Sequence, residues 1–471
     1  MEKSKIIVLV LVAVVAIGTI IYFLSDEEPE EINGEPHPDT GFLETEIDIS
    51  GEHIYGVGEE IAYISGEGGY NVVHGERELS YFDEVFPPIV DVNGEPAYNA
   101  LDGEEQVFMV GEDKKTSYDP YTHIRNVKEI GNEVVYTKLT ISDDIVQDMG
   151  NVQDQGDLID YYGEKVVETL MVGDEVVTDD YFQIENIVEV DGEIAFRALN
   201  ENGNMVVVHG EEEIGEHSFV TDGPFEIGGN LVYLASDSTS AYLVIDGEKQ
   251  EAYRSVDMLT DIGGEPAYAA RESRYDFVVV GGEEKEKYGI PYEGINHLRD
   301  INGDAFYIVE NRHEEEFVVF DGEEGSRYDA IEYVEEINGE PVYRVLNDDV
   351  WHIMRGLDEE IDSIDESNGK IGRPVDIGGD ISYKVREDDV EYIIKGDEET
   401  DAYDWISDPM NFGNEIGYVA QEDGDRFFVY DGHYTSGFDS FSSVINLNEL
   451  PKLLGVRGGQ KYLIELVGDE R

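Results

Sequence analysis

The 471-residue chain has no cysteine, only two tryptophans, and 31 lysines and arginines against 109 aspartates and glutamates. Without thiols there are no disulfides, no thiol catalysis and no cysteine-based zinc centres. With so few cations and a net charge of −78, a nucleic-acid binder working through a basic surface is excluded, because phosphate binding needs clustered Lys and Arg. Catalytic signatures are missing as well. There is no Gly-x-Ser-x-Gly elbow, no Gly-x-x-x-x-Gly-Lys phosphate loop and no His-Glu-x-x-His; His313-Glu314-Glu315-Glu316 lacks the second histidine. The ten histidines stand singly, and His74 and His209 fall at equivalent turns of a repeat. Low hydrophobicity, which disorder requires, is absent too: 40% of residues are hydrophobic, with 30 Tyr and 18 Phe.

Carboxylates are so abundant that no acid–base pair stands out from the background. Calcium suits clustered carboxylates, but the Asp-x-Asp-x-Asp-Gly loop is missing, and Glu422-Asp423-Gly424-Asp425 reads as a hairpin turn. No cofactor is expected, and no metal ligand can be named.

Ile6 to Leu24 is an uncharged run of 19 residues, long enough at roughly 28 Å to cross a hydrocarbon core as a transmembrane helix. Lys3 and Lys5 precede it and Asp26, Glu27 and Glu28 follow, which orients the remaining chain outward. A cleaved signal peptide is the rival reading. Its apolar region is normally shorter, and here the small residues Ala13, Ala16 and Gly18 lie inside the run. Residues 1–25 are therefore read as a cytoplasmic stub and anchor. Residues 26–41, acidic and carrying Pro29, Pro36 and Pro38, are read as an extended tether.

The rest is a repeat. The phrase apolar-x-Gly-x-x-x-aromatic recurs, as in Val92-Asn93-Gly94-Glu95-Pro96-Ala97-Tyr98, Ile262-Gly263-Gly264-Glu265-Pro266-Ala267-Tyr268 and Ile337-Asn338-Gly339-Glu340-Pro341-Val342-Tyr343. Eleven copies are counted, the last ending at Tyr462. Most aromatic-to-aromatic steps are 35 to 40 residues; Tyr136 to Phe196 takes 60 and Tyr418 to Tyr462 takes 44. A short apolar run closed by a Gly turn follows in each unit, as in Phe317-Val318-Val319-Phe320-Asp321-Gly322. A third phrase is Tyr-Asp or its kin, as in Tyr328-Asp329, Tyr403-Asp404 and Phe438-Asp439.

Each unit thus holds four strands, a to d. The Asn-Gly and Gly-Gly pairs supply the positive φ of tight hairpins, and Pro96, Pro266 and Pro341 sit where a missing N–H is tolerated at a strand start. Four antiparallel strands per unit of 35–44 residues predict an all-β fold, a β-propeller. An open β-solenoid is the alternative. The units resemble the WD-repeat-like and TolB-like prokaryotic propellers over about residues 42–471. The resemblance stops at architecture, because the Gly-His…Trp-Asp pair, the Ser-Pro-Asp-Gly turn and the sialidase box are all missing. Eleven units exceed the usual 4–8 blades, so two tandem rings are expected, 42–258 and 259–471, with a single large ring as the alternative. Phe42 to Ile49 is placed to supply a missing outer strand across the termini.

The a–b and c–d turns share one face; the b–c and d–a loops share the other. The 60-residue step places an insertion, about 141–166, in a b–c loop, where added length costs little entropy. Candidate binding residues are Asp157, Asp160, Tyr161 and Tyr162 in that insertion and Trp405 in a d–a loop; Phe86 and Pro87-Pro88 lie in similar loops. A neutral solvated insertion, and aromatics packed between blades, are the plainer alternatives.

The acid excess is the composition of a protein from a high-salt organism, since self-repulsion at −78 is screened there; a calcium-stabilised surface protein is the alternative. The overall expectation is a membrane-anchored, extracytoplasmic propeller that binds or scaffolds a protein or glycan at the cell surface. An envelope hydrolase using channel carboxylates is the alternative, and a structural spacer a third.

Overall fold

A computed structural model describes residues 42–466 except 48, 50–52, 67–68, 104, 119–121, 142–165, 290–291, 312, 366, 368, 436 and 448–449. It contains eleven antiparallel sheets of four or five strands, ten of them built from strands consecutive in the chain. Blade 8 shows the pattern: Ala330–Ile337 (a), Glu340–Asn347 (b), Val350–Arg355 (c) and Glu359–Asp365 (d). The a–b turn here is Asn338-Gly339, both at positive φ, as a two-residue hairpin requires.

The a strands of neighbouring blades approach one another at nine of the eleven junctions, so a is the innermost strand and its unpaired edge faces the axis. Blade-to-blade cores fill the space between sheets. One joins Ile301, Phe306 and Val318 of blade 7 to Ile331, Val334, Tyr343 and Met354 of blade 8.

The ring is single. The first strand of blade 1, Tyr55–Val57, lies against the first strand of blade 11, Ser440–Leu447. The strand Phe42–Glu46 pairs with Gln460–Leu466 and serves as the outer strand of blade 11. Arg457 reinforces this closure, with Nη2 2.9 Å from Glu44 Oε2. The two-ring expectation with a break at 258/259 is corrected. Residue 258 lies inside the strand Ser255–Ile262, which packs against the first strands of both neighbouring blades. The outer strand of the eleventh blade is supplied from the other end of the repeat region, and among the described residues no second closure of this kind occurs midway.

The last unit is also re-read. Gln460–Leu466 is strand c, not b; strand b is Leu450–Arg457. Leu453, fully buried, takes the position that an aromatic holds elsewhere, which restores the regular spacing after Tyr418.

Most inner strands are bulged at mid-length. In blade 8 the register jumps between Glu332 and Glu335, so Tyr333 and Val334 together face Tyr343. Blades 3, 4, 6 and 7 jump at the same point. In blades 9 and 10 Pro374 and Pro409, lacking an N–H, lie where the inner strand is interrupted: Gly369–Ile371 then Val375–Ile377, and Trp405–Ile406 then Met410–Phe412.

Candidate functional site

The recurring polar residues hold blades together. Two of the acids preceding an a–b turn, Asp91 and Asp300, accept both from their own turn and from the turn before, and Asp261, Asp376, Glu129 and Glu336 make one of the two bonds. Asp300 Oδ1 takes the Gly303 N–H at 2.6 Å and Oδ2 the Gly263 N–H at 3.4 Å; Asp91 does the same for Gly94 and Gly58. Turn asparagines extend the girdle, as Asn93 Nδ2 donates to Asn132 O at 2.8 Å. The Tyr-Asp phrase is structural too. Asp404 Oδ2 accepts from Asp423 N at 2.9 Å and Asp439 Oδ2 from Gly458 N at 2.8 Å, each fixing the b–c turn of the next blade. The aromatic before it packs on the next blade's strand b, as Tyr403 does on Tyr418.

The few cations do related work. Bulging leaves inner-strand carbonyls unpaired, and a cation from the preceding blade caps them: Lys128 on Ile187 O, Arg197 on Val220 O, Arg344 on Ile371 O, Lys384 on Ile406 O. Three strand-c glutamates complete the junctions. Glu168, Glu316 and Glu391 accept the N–H of Ile184, Ile331 and Ile406 at 2.7, 2.6 and 2.8 Å. Glu168 is fully buried and Oε1 makes no hydrogen bond. Burial pushes its carboxyl above the ordinary range, with the nearby Thr137 hydroxyl and the Ile184 N–H pulling the other way. These glutamates went unnoticed in the sequence. Their signal is a Glu five residues before the c–d turn, hidden among more than a hundred acids.

The predicted site residues fall as follows. Asp157, Asp160, Tyr161 and Tyr162 lie outside the described residues. Their flanks are described: Ile141 pairs with Val166 at the ends of strands b and c of blade 3 that lie away from the a–b turn. Trp405 is not in a loop but opens the inner strand of blade 10, half-buried against the core shared by blades 10 and 11. Phe86 and Pro87-Pro88 are likewise within an inner strand, Glu84–Val92.

His74 and His209 are equivalent, as their turns implied: each Nε2 lies 3.1 Å from a carbonyl of its own inner strand, Val57 O and Val190 O. Glu422-Asp423-Gly424-Asp425 is a b–c turn, with Asp423 and Gly424 at positive φ. Among the described residues no group of three or more His, Asp or Glu is arranged to hold a metal ion.

Fold and site geometry define an eleven-bladed β-propeller repeat protein, similar to known propellers in architecture. No family model and no curated protein matches the chain. Among solved structures, the β-propeller domain of the Trilobed protease from Pyrococcus furiosus, described as having an open velcro topology, aligns at 11% identity over 61% of this chain and 98% of that one, with a TM-score of 0.29. The acylaminoacyl peptidase of Pyrococcus horikoshii aligns at 12% over 66% and 57%, with a TM-score of 0.27. The computationally designed Ika8 protein gives 12% over 66% and 99%, with a TM-score of 0.29. At these scores the likeness bears on no activity or partner.

Proposed function

We propose that this propeller is a binding or scaffold module, held at the outer face of a cell membrane by residues 6–24, adapted to concentrated salt, and presenting residues 142–165 to a protein or glycan partner. One observation carries the reading. The acids, cations and aromatics recurring through the blades are used in holding blade to blade, so specificity falls to the departure from the repeat, and the largest is the blade 3 connection. Topology supports its direction. Phe42 pairs with Leu466, at the a–b turn end of the strands, whereas Ile141 and Val166 lie at the opposite end. A membrane segment preceding Phe42, joined by a tether of up to roughly 50 Å, would sit on the first side and leave the insertion facing outward.

The test compares proteins retained from membrane extracts of the source cells by the full chain and by a variant in which 142–165 is replaced by a two-residue turn. Loss of a specific partner with the insertion is expected; an unchanged set of partners removes the insertion from the site.

A further inference from the structure

In blades 3 to 8 the inner-strand bulge places one residue at positive φ. Blades 3, 4 and 5 use Asn126, Asn186 and Gly223, residue types that tolerate this conformation. Blades 6, 7 and 8 use Met258, His297 and Tyr333, at φ of 57, 55 and 53°. A bulky side chain is disfavoured here, and such strain persists where the surroundings or a function maintain it. Met258 gains burial, because it packs on the core shared by blades 6 and 7. Tyr333 does not: 51% of it is exposed, on the strand whose free edge faces the axis.

Its surroundings are ordered. The Arg344 guanidinium lies 4.7 Å from the Tyr333 ring centroid and 4.2 Å from that of Trp351, between two aromatic rings. Glu332 and the Ile371 carbonyl hold it there. One face of Tyr333 is therefore braced by a fixed cation while half the side chain stays open to solvent. Glu335, also exposed, lies two residues along the same inner strand.

We infer that Tyr333 is a stacking platform on the channel wall for a neutral oligosaccharide. A pyranose ring offers a flat C–H face to an open aromatic ring and hydroxyls to nearby carboxylates. At the ring itself a cationic side chain is the weaker fit, because Arg344 already takes the cation–π position on Tyr333. The inference deepens the reading of the propeller as a binding module and is independent of residues 142–165.

Trp351 serves as the reporter. Full-length protein carrying Trp405→Phe, in detergent, is titrated with chitohexaose, maltohexaose and hexalysine while Trp351 emission is followed. A saturable change with one of the neutral sugars is expected, retained in Tyr333→Phe and weakened at least about tenfold in Tyr333→Gly. Tyr333→Gly is expected to melt at or above the parent, since glycine relieves the positive φ. No saturable response to either sugar, response to hexalysine alone, undiminished sugar binding by Tyr333→Gly, or a clearly lower melting temperature of that variant would each overturn the inference. Partner capture through 142–165 with no sugar response would defeat this inference and leave the broader reading standing.

Discussion

At the scale of single residues, the decisive acids are the buried ones. Glu168 is enclosed between blades 3 and 4 with a carboxyl raised by burial. A carboxyl raised in the folded state contributes its full stability below the unfolded value, about 4.3, and loses it as pH rises through the folded value. Glu168→Gln keeps an acceptor for the Ile184 N–H and removes the buried charge. The variant should melt higher than the parent at pH 8, and the gap should close as pH falls toward 4, read by thermal unfolding across that range. A gap independent of pH would show that the charge is not the cause. In the sequence only its place five residues before the c–d turn marks Glu168, because burial is a property of the blade 4 strand that covers it.

At the scale of strands and turns, the hairpin signals were legible and the bulges were not. Asn-Gly, Gly-Gly and Asp-Gly mark the turns because few residue types tolerate positive φ at both central positions. A bulge leaves a weaker mark, since Asn126, Met258, His297 and Tyr333 share the conformation but no side-chain chemistry. Reading Trp405 and Phe86 as loop residues followed from that gap, for both lie in inner strands interrupted at mid-length. The acid before the a–b turn is the linking element between adjacent blades. Asp300→Ala removes one acceptor from two turns and should cost up to about 1 kcal/mol of stability. Asp300→Asn, which keeps an acceptor, should cost less. Denaturant unfolding of both checks this, and combining Asp300→Ala with Asp91→Ala, two distant sites, should add the effects.

At the scale of the whole molecule, the charge of −78 and the single closed ring act together. Carboxylates that accept turn N–H groups are partly compensated; the many exposed ones repel across every blade junction. That repulsion is long-ranged at about 0.1 M salt, where the screening length is about 10 Å, and short-ranged at molar salt, where it is about 3 Å. The melting temperature should therefore rise markedly between about 0.1 M and 3 M KCl, and a chelator should leave it unchanged. Equal melting temperatures in the two salts would count against adaptation to salt; destabilisation by the chelator would point to bound calcium.

The repeat, its four strands, its turn chemistry and even the strand that closes the ring were encoded locally. Positive-φ pairs, strand-start prolines and apolar runs act within a few residues of themselves and so can be read in order along the chain. Ring number was not local. One ring of eleven and two smaller rings use the same blade, and the packing of Tyr55–Val57 against Ser440–Leu447, with that of Ser255–Ile262 against the inner strands on both sides of it, distinguishes them. The fates of the acids were decided the same way. Asp300, Glu168 and Glu335 are chemically alike in the sequence. One serves two turns, one is buried at a junction and one is exposed on the inner strand, because a carboxylate's role depends on which N–H groups, and how much water, the neighbouring blade brings to it.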